Sequence, residues 1–84
     1  MNSYVIHLRH RTAARMWHLE HEGSSIGAYN TKADGIVAGH LRCRRLQEGG
    51  TDTRLVAHRE DGSIESEYSY GDDSILPASM ASNG

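Results

Sequence analysis

Residues 31–46 limit the possible folds of this chain more than any other stretch, because they form its one convincing helical pattern. Thr31 is positioned to cap the first turn, and Asp34 follows three residues later, as in a shortened capping box. Gly49 and Gly50 come directly after the pattern and end it. The flanking segments are short and alternating, so we predict a sheet that uses this helix to cover one face.

The apolar residues of the predicted helix indicate which of its faces is buried. On a helical wheel, Ala33, Ile36, Val37 and Leu41 share one broad face, and Cys43 lies at its margin. We therefore expect this face to pack on the sheet.

Gly35 and Gly39 fall on the opposite side of the wheel, which this assignment gives to solvent. Each glycine costs about 1 kcal/mol relative to alanine in a helix interior, so the helix depends on its contacts with the sheet. Two glycines four residues apart also allow close approach of another backbone. The spacing leaves this alternative open.

The remaining segments predict an α+β fold, an antiparallel sheet of four to five short strands packed on one α-helix in the order ββ(β)αββ. An Asp61-Gly62 pair between alternating runs is the strongest short signal for a hairpin. We assign residues 1–73 to a single domain and residues 74–84, rich in small and polar residues, to a disordered tail. The predicted strands are Tyr4–Arg9, Met16–His21, Ile26–Tyr29, Arg54–His58 and Ser63–Tyr70.

The core of such a domain must be small. Leu, Ile and Val together number 14 of 84 residues, and Phe is absent. A chain of this length buries only about 60–65% of its unfolded surface. Self-association as a homodimer is one way to bury more.

The single cysteine, Cys43, excludes a disulfide framework and a thiol-rich metal site. The first residues lack the apolar core of a signal peptide, and no apolar run approaches membrane length. We therefore expect a cytoplasmic protein with no membrane partner.

Five short motifs occur in a distinctive order. They are Trp17-His18-Leu19, the helix start Asn30-Thr31-Lys32-Ala33-Asp34, Leu55-Val56-Ala57-His58, Asp61-Gly62-Ser63-Ile64 and Tyr68-Ser69-Tyr70-Gly71-Asp72-Asp73. In order and spacing they resemble a family of small bacterial and phage proteins described only as a domain of unknown function. The resemblance implies a compact domain of helix and strands and supplies no activity, cofactor or catalytic residue. Gly35 and Gly39 stand where members of that family usually have alanine.

Six histidines raise the question of a metal site. His7 and His58 could face one another if their strands pair, whereas His18 and His21, three apart on one strand, point to opposite faces. No spacing matches a zinc signature, so we predict no metal and no cofactor. Arginines near Cys43 could lower the pKa of its thiol, but no base accompanies it. With no phosphate loop or nucleophile elbow, we predict a protein that is not an enzyme.

Negative charge is concentrated at the C-terminal end, where residues 60–84 hold six acids and no base. Carboxylates spaced roughly 6.6–7 Å apart along one strand face approach the phosphate repeat of a nucleic acid. We therefore predict a protein-binding module, in its most specific form a phage-type modulator or anti-defence (anti-CRISPR-like) inhibitor. The predicted contact residues are Glu60, Asp61, Glu65, Glu67, Asp72 and Asp73. The alternative for these acids is a solvated strand face that prevents aggregation.

The arginines are concentrated in two parts of the sequence, and this distribution predicts an alternative function. If they converge, they could bind phosphates as a weak nucleic-acid-binding protein, although the pI of about 6.3 is low for such a protein. Solvated loop charge and compensation of the helix dipole are the simpler explanation of these arginines. The residues are Arg9, Arg11 and Arg15 in the first connection, and Arg42, Arg44 and Arg45 at the helix end.

Overall fold

The computed structural model describes residues 3–71, which form five strands and one helix. The predicted α+β class and element order are confirmed. The predicted domain end at residue 73 and the predicted tail 74–84 lie outside the described residues. The elements are β1 (Ser3–Arg11), β2 (Met16–His21), β3 (Ser24–Tyr29), α1 (Lys32–Glu48), β4 (Asp52–His58) and β5 (Ile64–Tyr70).

The strands form one sheet in the order β3-β2-β1-β4-β5. Three pairs are antiparallel, as predicted, and β1 and β4 form one parallel pair that the prediction did not include. The cause is the crossover. Strand β3 runs parallel to β1, and α1 carries the chain back across the face so that β4 enters in the same direction. This topology leaves β3 and β5 as the two edge strands.

Both ends of α1 follow the sequence signals. The Thr31 side chain accepts a hydrogen bond from the Asp34 N–H at 3.1 Å, which satisfies one of the unpaired donors of the first turn. At the other end, Gly49 donates its N–H to the carbonyls of Arg45 and Leu46 at 3.2 and 3.1 Å. The predicted caps are confirmed.

The face that α1 turns to the sheet is not the predicted one. Its buried residues are Gly35, Gly39 and Cys43, whereas Val37 and Leu41 are exposed. Small residues four apart form a smooth seam, which allows the helix axis to come closer to the sheet than a Val and Leu face would. The helix therefore covers the sheet as predicted, but through its glycine face, and leucine side chains of the sheet, not another backbone, approach the glycines.

The contact along this seam is too close for a side chain. A Cβ added to Gly35 would lie 2.6 Å from Cδ1 of Leu8, and one added to Gly39 would lie 2.9 Å from Cδ1 of Leu55 and 3.2 Å from Cδ2 of Leu19. Each leucine tip packs directly on helix backbone. The glycines thus exchange helix propensity for close packing against three buried leucines.

The core lies between α1 and the sheet. Ile6 and Leu8 of β1 and Trp17 and Leu19 of β2 are buried there. Leu55 is fully buried beside them on β4. No helix in the described chain covers the other face of the sheet, which we call the open face.

The predicted hairpin between β4 and β5 is also confirmed. Gly62 has φ of +93° and donates its N–H to the Arg59 carbonyl at 2.9 Å, closing the turn. Glycine adopts this left-handed conformation without the clash that a Cβ would cause.

Candidate functional site

The predicted acidic residues lie in separate parts of the molecule. Glu60 and Asp61 are exposed in the β4–β5 turn. The carboxylate of Asp61 accepts hydrogen bonds from the hydroxyl and the N–H of Ser63 at 2.7 and 2.9 Å, and these bonds lower the pKa of Asp61. Asp72 and Asp73 lie outside the described residues.

Glu65 and Glu67 do not share a strand face, so the expectation of a carboxylate row along β5 is wrong. The pairing of β4 with β5 shifts register between Ala57 and His58, where β5 contains one extra residue. Such a bulge breaks the alternation that sequence reasoning assumes, and side chains before and after it change faces. Glu65 is therefore on the helix side and Glu67 on the open face.

Each of these two carboxylates is paired within the chain. Glu65 forms an ion pair with Lys32 at the start of α1. Glu67 lies opposite Val56 and approaches Arg54 at 3.8 Å. These ion pairs reduce the negative charge that β5 presents to a partner.

Arg9 and Arg11 lie on the open face and converge on a carboxylate. Glu20, only 7% exposed, receives hydrogen bonds at its Oε2 from Nε and Nη2 of Arg11 at 2.8 and 2.5 Å. Arg9 approaches its other oxygen, Oε1, at 3.4 Å. A buried carboxylate therefore already holds both arginines.

The two predicted groups of arginines do not converge. Arg15 follows this pair in the β1–β2 turn, where it adopts φ of 55°. The second group, Arg42, Arg44 and Arg45, is exposed on α1. Because α1 covers one face of the sheet and Arg9 and Arg11 lie on the other, one ligand cannot contact all of them across the sheet.

His7 and His58 face one another, as predicted, with His7 Nδ1 2.9 Å from His58 Nε2. His58 Nδ1 lies 3.0 Å from the Gly62 carbonyl. A carbonyl only accepts, so His58 Nδ1 carries the proton, and in the neutral ring its Nε2 accepts from His7 Nδ1–H. This chain of two hydrogen bonds therefore runs from β1 through β4 to the hairpin turn. It does not use the lone pair of His7 Nε2.

The environment of His7 disfavours its protonation. Burial is the main cause that lowers its pKa below the ordinary 6.5, and the positive charge of Arg9 and the proximity of His58 add to the effect.

The other strand histidines have separate contacts. His18 contacts the Ser25 hydroxyl at 2.8 Å, and His21 stacks on the Tyr4 ring at 3.7 Å. Within residues 3–71, no group of three or more His, Cys, Asp or Glu is placed to hold a metal ion.

The lowered pKa of His7 predicts a pH-dependent stability. As the pH falls through 6.5, the unfolded chain binds a proton at this position before the folded chain does. The free energy of unfolding should therefore fall as the pH is lowered through 6.5, and this contribution should level off below the folded-state pKa. Urea unfolding at a series of pH values should show a smaller fall in His7→Gln. An equal fall in the wild type and in His7→Gln would contradict this prediction.

Cys43 is buried on the inner face of α1, and burial raises the pKa of its thiol. This direction is opposite to the expected effect of the neighbouring arginines, because desolvation outweighs the charge of Arg42. A neutral, enclosed thiol packs as a small apolar side chain.

The exposed large apolar side chains of the described chain are concentrated at one edge of the molecule. Val37 and Leu41 are 59% and 57% exposed, and Ile64 and Tyr68 are 52% and 42% exposed. All four belong to α1 or to the edge strand β5. Ile64 pairs with His58 beyond the bulge, whereas the other three lie together on the helix side.

These three side chains line an open groove of about 290 Å³ between α1 and β5. We call it the α1/β5 groove, and its residues are Ile36, Val37, His40, Leu41, Tyr68 and Tyr70. Within the groove, the Tyr70 hydroxyl and His40 Nδ1 lie 2.6 Å apart and form a hydrogen bond. Burial raises the pKa of Tyr70 to about 12, so the hydroxyl stays protonated. This bond ties the helix to the edge strand.

Sequence reasoning missed this groove because it placed Val37 and Leu41 in the core. A usable signal was present, since Gly35, Gly39 and Cys43 form a small-residue seam four positions apart. If that seam is taken as the buried face, the wheel puts Val37 and Leu41 toward solvent.

Comparison of the chain with protein-family models, with curated proteins and with solved structures finds no match. The resemblance to the small bacterial and phage family therefore stays a prediction. No helix within residues 3–71 has the length and apolar character needed to cross a membrane.

Proposed function

We propose that this protein is a non-enzymatic protein-binding module that docks through the α1/β5 groove and the neighbouring edge of β5. One observation supports this most directly. Every large apolar side chain that is markedly exposed within residues 3–71 lies on α1 or β5. Three of the four, Val37, Leu41 and Tyr68, line the α1/β5 groove, and exposed apolar surface concentrated in this way is characteristic of an interaction site.

The backbone of β5 adds a second means of contact. Within residues 3–71, β5 pairs with β4 on one side only, so its outer edge can accept a further strand. A partner segment paired there would gain main-chain hydrogen bonds, and its alternate side chains would enter the groove beside Tyr68.

The acidic residues take a secondary role in this proposal. Glu60 and Asp61, exposed in the hairpin turn, provide charge at one end of β5, which can speed association with a basic partner. Glu65 and Glu67 are paired with Lys32 and Arg54, so the groove carries most of the affinity. Action as a phage-type inhibitor of a nucleic-acid-handling enzyme stays a prediction.

A lysine in the groove should weaken partner binding. Leu41→Lys places a charge among apolar side chains, and we expect the amount of each specific partner captured from host lysate to fall about tenfold. Quantitative mass spectrometry of the captured proteins measures this. The matched control is Ala28→Lys, an exposed position on the opposite edge strand, β3, which should capture the wild-type amounts.

Equal capture by wild type and Leu41→Lys would contradict the proposal. DNA binding that weakens with salt, and that an Arg42/Arg44/Arg45 triple alanine variant abolishes, would instead support the nucleic-acid alternative. That alternative depends on these three helix arginines, because Glu20 already holds Arg9 and Arg11.

A further inference from the structure

We infer that the occupant of the α1/β5 groove is a second copy of this chain, joined by antiparallel pairing of the two β5 strands around a two-fold axis. The inference rests on the proposed function and names the partner of the same surface. It requires an edge strand that is free to pair, a surface that complements itself, and charges that tolerate a symmetric contact.

The edge is suitable for this pairing. β5 is the last strand in the sheet order, and its seven residues, Ile64–Tyr70, are long enough for several ladder hydrogen bonds. Pairing two β5 strands around an axis perpendicular to the sheet produces one continuous sheet. It also keeps the α1 helices of both copies on the same side.

The apolar groove complements itself in this arrangement. The two grooves open toward each other above the β5–β5 seam, so Val37 and Leu41 of each copy face those of the other across the floor made by Tyr68. A two-fold contact brings like surfaces together, which suits apolar and aromatic side chains. The side chains left exposed in one chain would then cover one another.

The charges of β5 are also compatible with pairing of this strand to β5 of a second copy. Lys32 and Arg54 neutralise Glu65 and Glu67 within each chain, which limits repulsion between copies. In the register that places Tyr68 opposite Tyr68, Glu67 lies opposite Ser69. No two carboxylates of β5 then face each other, and an aromatic pair occupies the centre of the seam.

The small core favours this occupant. Helix α1 contacts the sheet through glycines, so the described chain leaves Val37 and Leu41 exposed, although Leu, Ile and Val number only 14 in the whole sequence. Domains of this size commonly gain stability by association. A second copy is also the one partner that is always present with the protein.

Sedimentation equilibrium of the full-length protein tests the inference. The wild type should show a reversible rise with concentration from 9.3 kDa to twice that mass. Leu41→Lys and Tyr68→Lys should each weaken the dimer about tenfold or more, because both insert charge at the seam. Ala28→Lys, at the other edge strand, should dimerise like the wild type, and circular dichroism should show that all three variants are folded.

Cross-linking tests the register. Tyr68→Cys should form a covalent dimer on mild oxidation, because the two introduced cysteines lie opposite each other. Ser69→Cys should cross-link much more slowly, since in this register Ser69 lies opposite Glu67. Equal rates in the two variants would overturn the register.

Three results would overturn the dimer. These are a wild type that stays monomeric throughout, a dimer insensitive to both lysine variants, and a dimer lost equally in Ala28→Lys. A monomeric wild type whose captured partners are still lost in Leu41→Lys would overturn the dimer but leave the proposed function standing. If only a chain ending at Gly71 dimerised, the C-terminal residues would be the occupant of the groove instead.

Discussion

Replacing Gly39 with leucine is expected to lower the free energy of unfolding by about 3 kcal/mol, the upper end of the range for overpacked cores. A Cβ at this position meets Leu55 at 2.9 Å and Leu19 at 3.2 Å, and both leucines are essentially fully buried. Neither can turn away without losing its own packing. The better helix propensity of leucine recovers about 1 kcal/mol at most, so the clash decides the sign.

Thermal unfolding should show this loss clearly. A domain of this size changes its Tm by about 4–8 °C for each kcal/mol, so the midpoint should fall by about 15 °C. The matched control is Leu41→Ala, two residues further along the same helix and on its exposed side, which should change the stability of the monomer by less than about 0.5 kcal/mol. A tolerated Gly39→Leu together with a costly Leu41→Ala would mean that the helix packs through its apolar face.

This comparison also shows where prediction from sequence succeeded and failed. The limits of α1 were predictable because capping is local. Thr31 and Gly49 each form hydrogen bonds with residues of the adjacent helical turn. The buried face was not, because hydropathy favoured Val37 and Leu41. Packing distance to the sheet, which no single helix reveals, favoured the glycines.

The strands show the same division between local and distant causes. Alternation holds on β2, where Trp17 and Leu19 both lie in the core, since side chains of a regular strand alternate between faces. Alternation failed on β5, because the bulge opposite His58 moves the side chains that precede Glu67 to the face opposite to the one that alternation predicts. The parallel pairing of β1 with β4 was equally hidden, because it follows from the path of the crossover and not from either strand.

The candidate site was therefore only partly predictable. The hairpin turn with Glu60 and Asp61 and the facing histidines, His7 and His58, follow from local signals and simple pairing. The α1/β5 groove was not predicted, because the sequence analysis missed two structural features that lie side by side. The helix turns its valine and leucine outward, and the strand beside them lies at the edge of the sheet with Tyr68 exposed.

Replacing Arg11 with alanine should lower the free energy of unfolding by about 2 kcal/mol, because hydrogen bonds to a charged group contribute about 1.5–3 kcal/mol. Exposed ion pairs usually contribute less than 1 kcal/mol. This pair differs because its acceptor, Glu20, is 7% exposed and cannot turn to water when Arg11 is removed. Only the longer contact to Arg9, at 3.4 Å, would remain.

Urea unfolding of Arg11→Ala, compared with Arg42→Ala, tests this expectation. Arg42 is exposed on α1, and its removal should change stability by less than about 0.5 kcal/mol. A double-mutant cycle then separates the pair from other effects of each residue. Glu20→Gln should cost less stability in the Arg11→Ala background than in the wild type, because the charge it removes there has already lost its main partner. Additive losses would mean that the carboxylate and Arg11 contribute independently, and Arg11 would then be free to serve the nucleic-acid alternative.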